Sequence, residues 1–436
     1  MNVLFIVIDT LRADHLSCYG YKRLTSPHID RLAQQGVLFE RAFANAIPTH
    51  PAFTTIFSGQ YPITHGVVAH GGERQAPRTA PWLPELLLKH GYTTCAVDNL
   101  AESRLGFGRG YEFYIDPMHK QTLHINADNR VINERALPWL EQHKHERFFL
   151  MVHYWDPHTP YMPPRAYRKL FYTGNPCDPA NRSLEGMERH PLGKMWRETW
   201  FNQLGGHITD AEYVAALYDS EIRYCDDGVG KLLDELERWG LAENTLVVLT
   251  SDHGELMYRH GVFFDHHGLY DGNVHVPLIF RLPSMEPARV DGLVAHVDIA
   301  PTVLECCGVE APKEFEGESL APVLRGKVQA GARDAVVCEE CTWQMKWAFR
   351  TARHKLIVAR GEDFYGTPVR ELYDLDADPD ELRNIADVAA ETAADLDARL
   401  EAWLAGKREQ NGLEEDPLIA HGLTLGKRWH ERARKG

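Results

Sequence analysis

Apolar runs punctuate the chain at Val3 to Ile8, Tyr92 to Val97, Phe148 to His153, Thr245 to Thr250 and Val276 to Phe280. Each is continuous rather than alternating and has a length that suits a strand buried on both faces of a parallel sheet. Between them the spacing turns helical. Over 211–239, Val214, Leu217, Tyr218, Ile222, Cys225, Val229, Leu232, Leu233 and Leu236 recur at three- and four-residue intervals and predict one long amphipathic helix. Buried strands alternating with helices predict an α/β fold around a mainly parallel sheet. Ligands of such sheets collect beyond the carboxyl ends of the strands. Three of the runs end in reactive side chains: Asp9, His153, and Ser251-Asp252-His253.

Two stretches break the pattern. Residues 156–210 are rich in Pro, Tyr, Trp, Arg and His with little periodicity, and read either as a lid beside the site or as a surface excursion. After Arg325-Gly326-Lys327 come short strand-like pieces, Trp347 to Arg350 and Leu356 to Ala359, and then a helical stretch near 386–405. The expected division is a catalytic domain over 1–330 and a smaller α+β subdomain with a basic, solvated tail over 331–436.

Composition narrows the class. The 436 residues are 44% hydrophobic and 25% charged, ordinary for a globular chain long enough to bury a large core. The net charge of −15 is a poor footprint for a nucleic-acid backbone. No run reaches the length of a membrane span. The eight cysteines show no disulfide framework, and Cys338-x-x-Cys341 has no second pair for a zinc site. The opening Met-Asn-Val-Leu-Phe-Ile-Val-Ile-Asp lacks a basic leader and a cleavage site, so a cytoplasmic protein with reduced thiols is expected. Oligomeric state is left open.

The chemistry gathers in two segments. In Ser251-Asp252-His253-Gly254-Glu255, a carboxylate and an imidazole side by side at a strand end can reach one divalent cation. Asp9 ends another buried strand, and burying both acids together without a cation would be costly. In Ala46-Ile47-Pro48-Thr49-His50-Pro51, Pro51 suits the first turn of a helix and places Thr49 near its N-cap. A hydroxyl there faces the positive helix end, where anions bind. Beside a metal it can serve as a nucleophile.

Taken in order, these blocks resemble the alkaline phosphatase superfamily, in its sulfatase and phosphonate monoester hydrolase branch. Asp9-Thr10-Leu11-Arg12-Ala13-Asp14 with Cys18-Tyr19-Gly20 matches the family opening, and His28-Ile29-Asp30 to Phe39 the helix after it. Phe43-Ala44-Asn45-Ala46 leads into the nucleophile turn, and Ser58-Gly59-Gln60-Tyr61-Pro62 with His65-Gly66 follows. Asp156-Pro157-His158-Thr159-Pro160-Tyr161, Ser251 to Glu255, Val276-Pro277-Leu278-Ile279 and Glu371-Leu372-Tyr373-Asp374-Leu375 continue the match over most of the chain. The resemblance implies an alkaline-phosphatase-like three-layer sandwich, with the smaller C-terminal subdomain beside it.

The departures redirect the chemistry. Sulfatases carry Cys or Ser followed by x-Pro-x-Arg, and oxidise that residue to formylglycine. Here Thr49-His50-Pro51-Ala52-Phe53 stands in its place, and threonine cannot give the aldehyde. Thr10 replaces a second Asp, Asp98-Asn99-Leu100 replaces a Lys and a His, and Phe264-Asp265-His266-His267 replaces a late Lys. A formylglycine hydrate can expel sulfate from a hemiacetal, an exit a threonyl ester lacks, whereas a phosphothreonyl ester can be hydrolysed by in-line water attack. The expected activity is therefore metal-dependent hydrolysis of phosphate diesters or phosphonate monoesters through Thr49. The alternatives are a sulfatase working without formylglycine and a phosphoryl transferase. Asp9, Asp252, His253 and Thr49 are expected to hold a divalent ion (Mn, Zn, Mg or Ca), one rather than two, with Asp265 and its histidines as the place for a second. His153, His158 and His267 are expected to bind ester oxygens or protonate the leaving group. His260, His266, His65, Asn99 and Thr10 are further substrate-binding candidates, and Arg12 is expected to brace Asp9 and the nucleophile loop. The partner is a small-molecule ester, with no nucleic acid and no membrane.

Overall fold

The computed structural model describes residues 1–118, 127–283, 285–327 and 333–427, so the basic tail from Arg428 onward lies outside the described residues. An eight-stranded sheet forms the centre. Its order is Ala288–Ala295, Val37–Phe43, His275–Arg281, Thr245–Thr250, Asn2–Ile8, Phe148–Tyr154, Thr93–Val97 and Phe113–Ile115. Residues Val3 to Val7 have no exposure at all, as expected for a strand covered on both faces. Full burial of such side chains contributes about 1.5–3 kcal/mol each.

The sheet is mainly parallel. Among the described strands, His275–Arg281 alone runs against its neighbours, pairing antiparallel with both Val37–Phe43 and Thr245–Thr250. The segment before it carries a hairpin, Leu256–Arg259 with Val262–Asp265, instead of a long crossover helix, so the chain returns antiparallel. Two groups of helices cover the two faces. Pro27–Gln34, Asn129–His143 and Ala211–Arg238 pack together, and Thr49–Ser58, Leu83–Lys89 and Ile299–Cys306 form the other group. The long periodic segment is thus one helix, Ala211–Arg238, capped by the Asp210 carboxylate on the Glu212 N–H. No helix among the described residues is long and apolar enough to cross a membrane.

A second sheet has the order Arg370–Asp374, His354–Ala359, Lys346–Thr351, Ala335–Glu340 and Ala46–Ile47. The last strand belongs to the segment entering Thr49. Ala46 and Ile47 pair parallel with Glu339 and Glu340, and the Asn45 side chain donates to the Val337 carbonyl. The turn that carries Thr49 is thereby fastened to the C-terminal sheet. The helical stretch expected near 386–405 is Ala390–Asn411, whose Leu396, Leu400 and Leu404 are buried.

Candidate active site

Parallel register assembles the site. Val7 lies opposite Thr250 on one side and His153 on the other, and Val97 lies opposite Val152. Continuing past the strand ends puts Asp9 beside Asp252 and Asp98 beside His153. Thr10 then turns the chain with φ +53°, a left-handed conformation that a β-branched residue rarely adopts. Its N–H donates to Asp252 Oδ1 at 3.2 Å and its carbonyl accepts from Tyr218 at 2.7 Å, which hold the turn. Such strain concentrates at functional sites.

Asp9, Asp252 and His253 are wholly buried, each offering a ligand atom within 4.8 Å of the others. The donor atoms fit a divalent cation. Both oxygens of Asp9 and Oδ2 of Asp252 are buried without a hydrogen-bond partner. His253 Nδ1 lies 2.9 Å from the Gly254 carbonyl, so it carries the proton and leaves Nε2 as a lone-pair donor. That Nε2 faces Asp252 Oδ2 at 3.3 Å and Thr49 Oγ1 at 3.4 Å. Burial alone would raise the Asp9 carboxyl, but the imidazoles of His153, His158 and His253 hold it below the usual carboxylate range. Burial and the charge of Asp9 push Asp252 upward. Two carboxylates facing each other with free oxygens are the arrangement a cation resolves.

Thr49 opens the helix Thr49–Ser58, with Pro51 in its first turn. It borders a pocket of about 290 Å³. His158, His266 and Asn99 also line it, with Trp155, Trp196 and Trp343 as aromatic walls. Among the described lining residues there is no Arg or Lys. The 156–210 segment and the C-terminal region each supply one of these tryptophans beyond Trp155, which follows a central strand. His158 Nδ1 lies 2.7 Å from the Thr159 carbonyl, which leaves its Nε2 for other partners.

Several expected residues stand elsewhere. His153 is enclosed by two carboxylates, with Nδ1 2.8 Å from Asp98 Oδ1 and Nε2 3.4 Å from Asp9 Oδ2. Burial opposes its charge, yet Asp9 and Asp98 together raise its pKa to about 10. His153 is therefore a buried cation serving Asp9, and not a pocket residue. His267 sits behind the pocket, with Nδ1 2.5 Å from the Tyr365 hydroxyl and Nε2 3.3 Å from Asp265. Of this adjacent pair, His266 is the one at the pocket wall. His65 is tied to Thr55 and to the Val67 N–H, and His260 stacks on Tyr270 at 3.6 Å, so neither reaches the pocket. Arg12 binds Asp14 through two bonds and the Glu255 carbonyl at 2.9 Å, bracing the Asp252–Glu255 loop rather than Asp9 or the loop that carries Thr49. Asp98 was visible in the sequence only as a departure from the family pattern. Its partner His153 explains it, and Phe53, where the family has Arg, packs its ring 4.8 Å from the same imidazole.

Comparison with known proteins fits this geometry. The family model described as Sulfatase matches residues 1–309, and that of the N-sulphoglucosamine sulphohydrolase C-terminal region matches 259–410. The chain is 26% identical over 468 residues to an N-acetylglucosamine-6-O-sulfatase of Bacteroides thetaiotaomicron, covering 88% of this chain and 82% of that protein. It is also 26% identical over 415 residues to a Delta 4,5-hexuronate-2-O-sulfatase of the same organism, covering 88% and 84%. Among solved structures, the phosphonate monoester hydrolase of Silicibacter pomeroyi superposes with a TM-score of 0.71 at 23% identity, over 94% of this chain and 95% of that one. With this alkaline-phosphatase-like fold and a sulfatase model over most of its length, the chain belongs to the sulfatase family of ester hydrolases.

Proposed function

We propose that the chain is a divalent-metal-dependent hydrolase of singly charged esters, with Thr49 as nucleophile and sulfate monoesters as the first substrate class. The observation that carries the reading is Thr49 Oγ1, 3.4 Å from His253 Nε2 at the edge of a buried group in which both Asp9 oxygens and Asp252 Oδ2 lack hydrogen-bond partners. Asp9, Asp252, His253 and Thr49 would hold the cation, which would supply the positive charge that makes the Thr49 hydroxyl easier to ionise and offsets the charge of the ester. Thr49 Oγ1 gives up its proton to solvent and bonds to the central atom as the bond to the leaving oxygen breaks on the opposite side. His158, on the pocket wall, is placed to donate a proton to it, and His266 beside it to hold an ester oxygen. Water then hydrolyses the threonyl ester and restores Thr49.

Charge selects the substrate class. A pocket whose described lining holds no Arg or Lys suits an ester bearing one negative charge better than a phosphate monoester bearing two. Sulfate monoesters, phosphate diesters and phosphonate monoesters share that charge. The sulfatase names of the sequence relatives favour sulfur, and the aromatic walls suit a sugar ring or an aryl group. Phosphorus is the second reading. It is favoured by Thr49 itself, because a phosphothreonyl ester is opened by in-line water attack, whereas a threonyl sulfate lacks the hemiacetal exit.

Turnover of four aryl esters by metal-reconstituted protein tests both: a sulfate, a phosphonate monoester, a phosphate diester and a phosphate monoester. The reading expects one of the first three to lead, the phosphate monoester to trail, and Thr49→Ala to abolish the leading activity. A leading phosphate monoester would refute the charge argument, and a dominant phosphorus ester would move the assignment to the second class.

A further inference from the structure

The lining of the pocket beside Thr49 is of two chemical kinds. Thr49, His158 and His266 can bind the charged part of an ester, whereas Leu192, Trp196, Trp343 and Leu425 are largely apolar. A charged oxygen set against leucine and indole rings would lose its water without gaining a partner. The apolar side is therefore the wall for the leaving group. Trp343 and Leu425 reach it from the C-terminal region, which carries none of the reacting groups.

One buried carboxylate organises that wall. Glu340 ends the strand Ala335–Glu340 and has no exposure. Its Oε1 accepts from the Trp343 N–H at 3.0 Å and the Gln344 N–H at 3.1 Å, and its Oε2 accepts from the Gly268 N–H at 2.8 Å. These donors sit on two loops far apart in the chain. One presents Trp343, and the other follows Asp265-His266-His267. The loops meet where the Trp343 ring lies 4.3 Å from the His267 ring. Glu340 also pairs in parallel with Ile47, just ahead of Thr49. Thr342 widens the frame: its hydroxyl accepts from the His70 N–H at 2.8 Å, and its carbonyl from the Gly426 N–H at 2.9 Å. His70 and Leu425, the neighbour of Gly426, both line the pocket. A buried carboxylate that gives both oxygens to backbone N–H groups makes strong, charge-assisted bonds and so fixes the loops that donate to it.

We propose that Trp343 is the residue that selects the leaving group and that Glu340 is the positioning residue that holds it there. The proposal rests on the reading of this pocket as the ester site, and it assigns the choice of alcohol to the C-terminal sheet. Trp343 is half-buried and packs the leaving group on its indole, which favours a flat, uncharged ring. Glu340 touches no substrate. It fixes Trp343 relative to the turn that carries His266, so the leaving group meets the indole while the charged part of the ester stays beside Thr49. Glutamine at position 340 keeps one acceptor oxygen and turns an NH₂ toward the N–H of one loop, so it cannot hold both loops together.

A double-mutant cycle on the leading aryl ester, prepared with 4-nitrophenol as its leaving group, tests the proposal. Trp343→Ala is expected to raise KM about 10-fold with kcat changed less than about threefold, and Trp343→Phe to recover most of that loss. Glu340→Gln is expected to raise KM about 5–10-fold and to leave Mn²⁺ affinity unchanged. The double variant should be at most about twofold worse than Trp343→Ala, because Glu340 acts through Trp343. Circular dichroism shows whether Glu340→Gln folds. If it does not, Glu340→Asp, which keeps the charge but is too short to span both loops, takes its place in the cycle. An unchanged KM in Trp343→Ala, or full multiplication of the two single effects in the double variant, would overturn the proposal and leave the Thr49 reading standing. Quenching of tryptophan fluorescence by 4-nitrophenol reads the same wall without turnover, and its Kd should weaken about 10-fold in Trp343→Ala. Wild type that binds 4-nitrophenol in this way but turns over no ester would sink the Thr49 reading and keep this one.

Discussion

Replacing Asp98 by Asn probes how the fold holds its first ligand. The carboxylate of Asp98 accepts from His153 Nδ1 at 2.8 Å and from the Leu100 N–H at 2.9 Å, and it also binds the Tyr114 hydroxyl. Asn keeps the size and one acceptor but removes the charge. A hydrogen bond to a charged group is worth about 1.5–3 kcal/mol. At 1.36 kcal/mol per pKa unit, this takes the metal-free His153 from about 10 down by roughly 1–2 units. The sign of the linkage follows. A histidine raised in the folded state gives its full stabilisation below its unfolded value of about 6.5 and loses it as pH rises through the folded value. Metal-free wild type therefore loses stability between about pH 6.5 and pH 10, and the variant completes its loss 1–2 units earlier. Imidazole proton resonances and urea midpoints across that range measure both. Mn²⁺ affinity is expected to fall about 10–100-fold in the variant, because His153 no longer holds Asp9 in place. An unchanged titration with unchanged Mn²⁺ affinity would refute the role given to Asp98.

Other outcomes follow from the same geometry. Thr49→Ala is expected to lower kcat by on the order of 10⁴-fold or more while Mn²⁺ still binds, read by steady-state kinetics beside dialysis. His65 accepts from the Val67 N–H and so must stay neutral, and burial lowers its pKa to about 3. His65 should then contribute up to about 1.4 kcal/mol of stability loss per unit as pH falls below about 6.5, on top of the losses from the similarly buried His50, His70 and His296, and His65→Gln should lower the slope by that share in paired urea melts. Gly254→Ala places a Cβ 2.1 Å from the Gly272 carbonyl, between His253 and Glu255. It should destabilise the fold by about 1–3 kcal/mol and weaken Mn²⁺ binding, as calorimetry with and without the ion would show.

Much of the site was legible because its residues end buried strands. An apolar run stopped by Asp9 or by Ser251-Asp252-His253 marks a carboxyl end, and parallel register then brings the ends together. Thr245–Thr250 and the helix Ala211–Arg238 follow the hydrophobic pattern nearly residue for residue. The rest depends on facts that periodicity does not carry. Val276 to Phe280 reads like the other strands, but its direction is set by the hairpin before it. His266 and His267 are adjacent, and only the turn after Asp265 decides which reaches the pocket and which lies against Tyr365. His153 reads as a strand-end base, but Asp98 lies 55 residues away in the chain and makes it a structural cation.

The central claim is that Thr49 carries the transferred group. Rapid acid quench of turnover on the best aryl ester, followed by peptide mass spectrometry, tests it directly. The account predicts a sulfo or phosphoryl adduct on the peptide containing Thr49, formed within the first turnover and absent from Thr49→Ala. Sustained turnover with no adduct, together with an active Thr49→Ala, would contradict it.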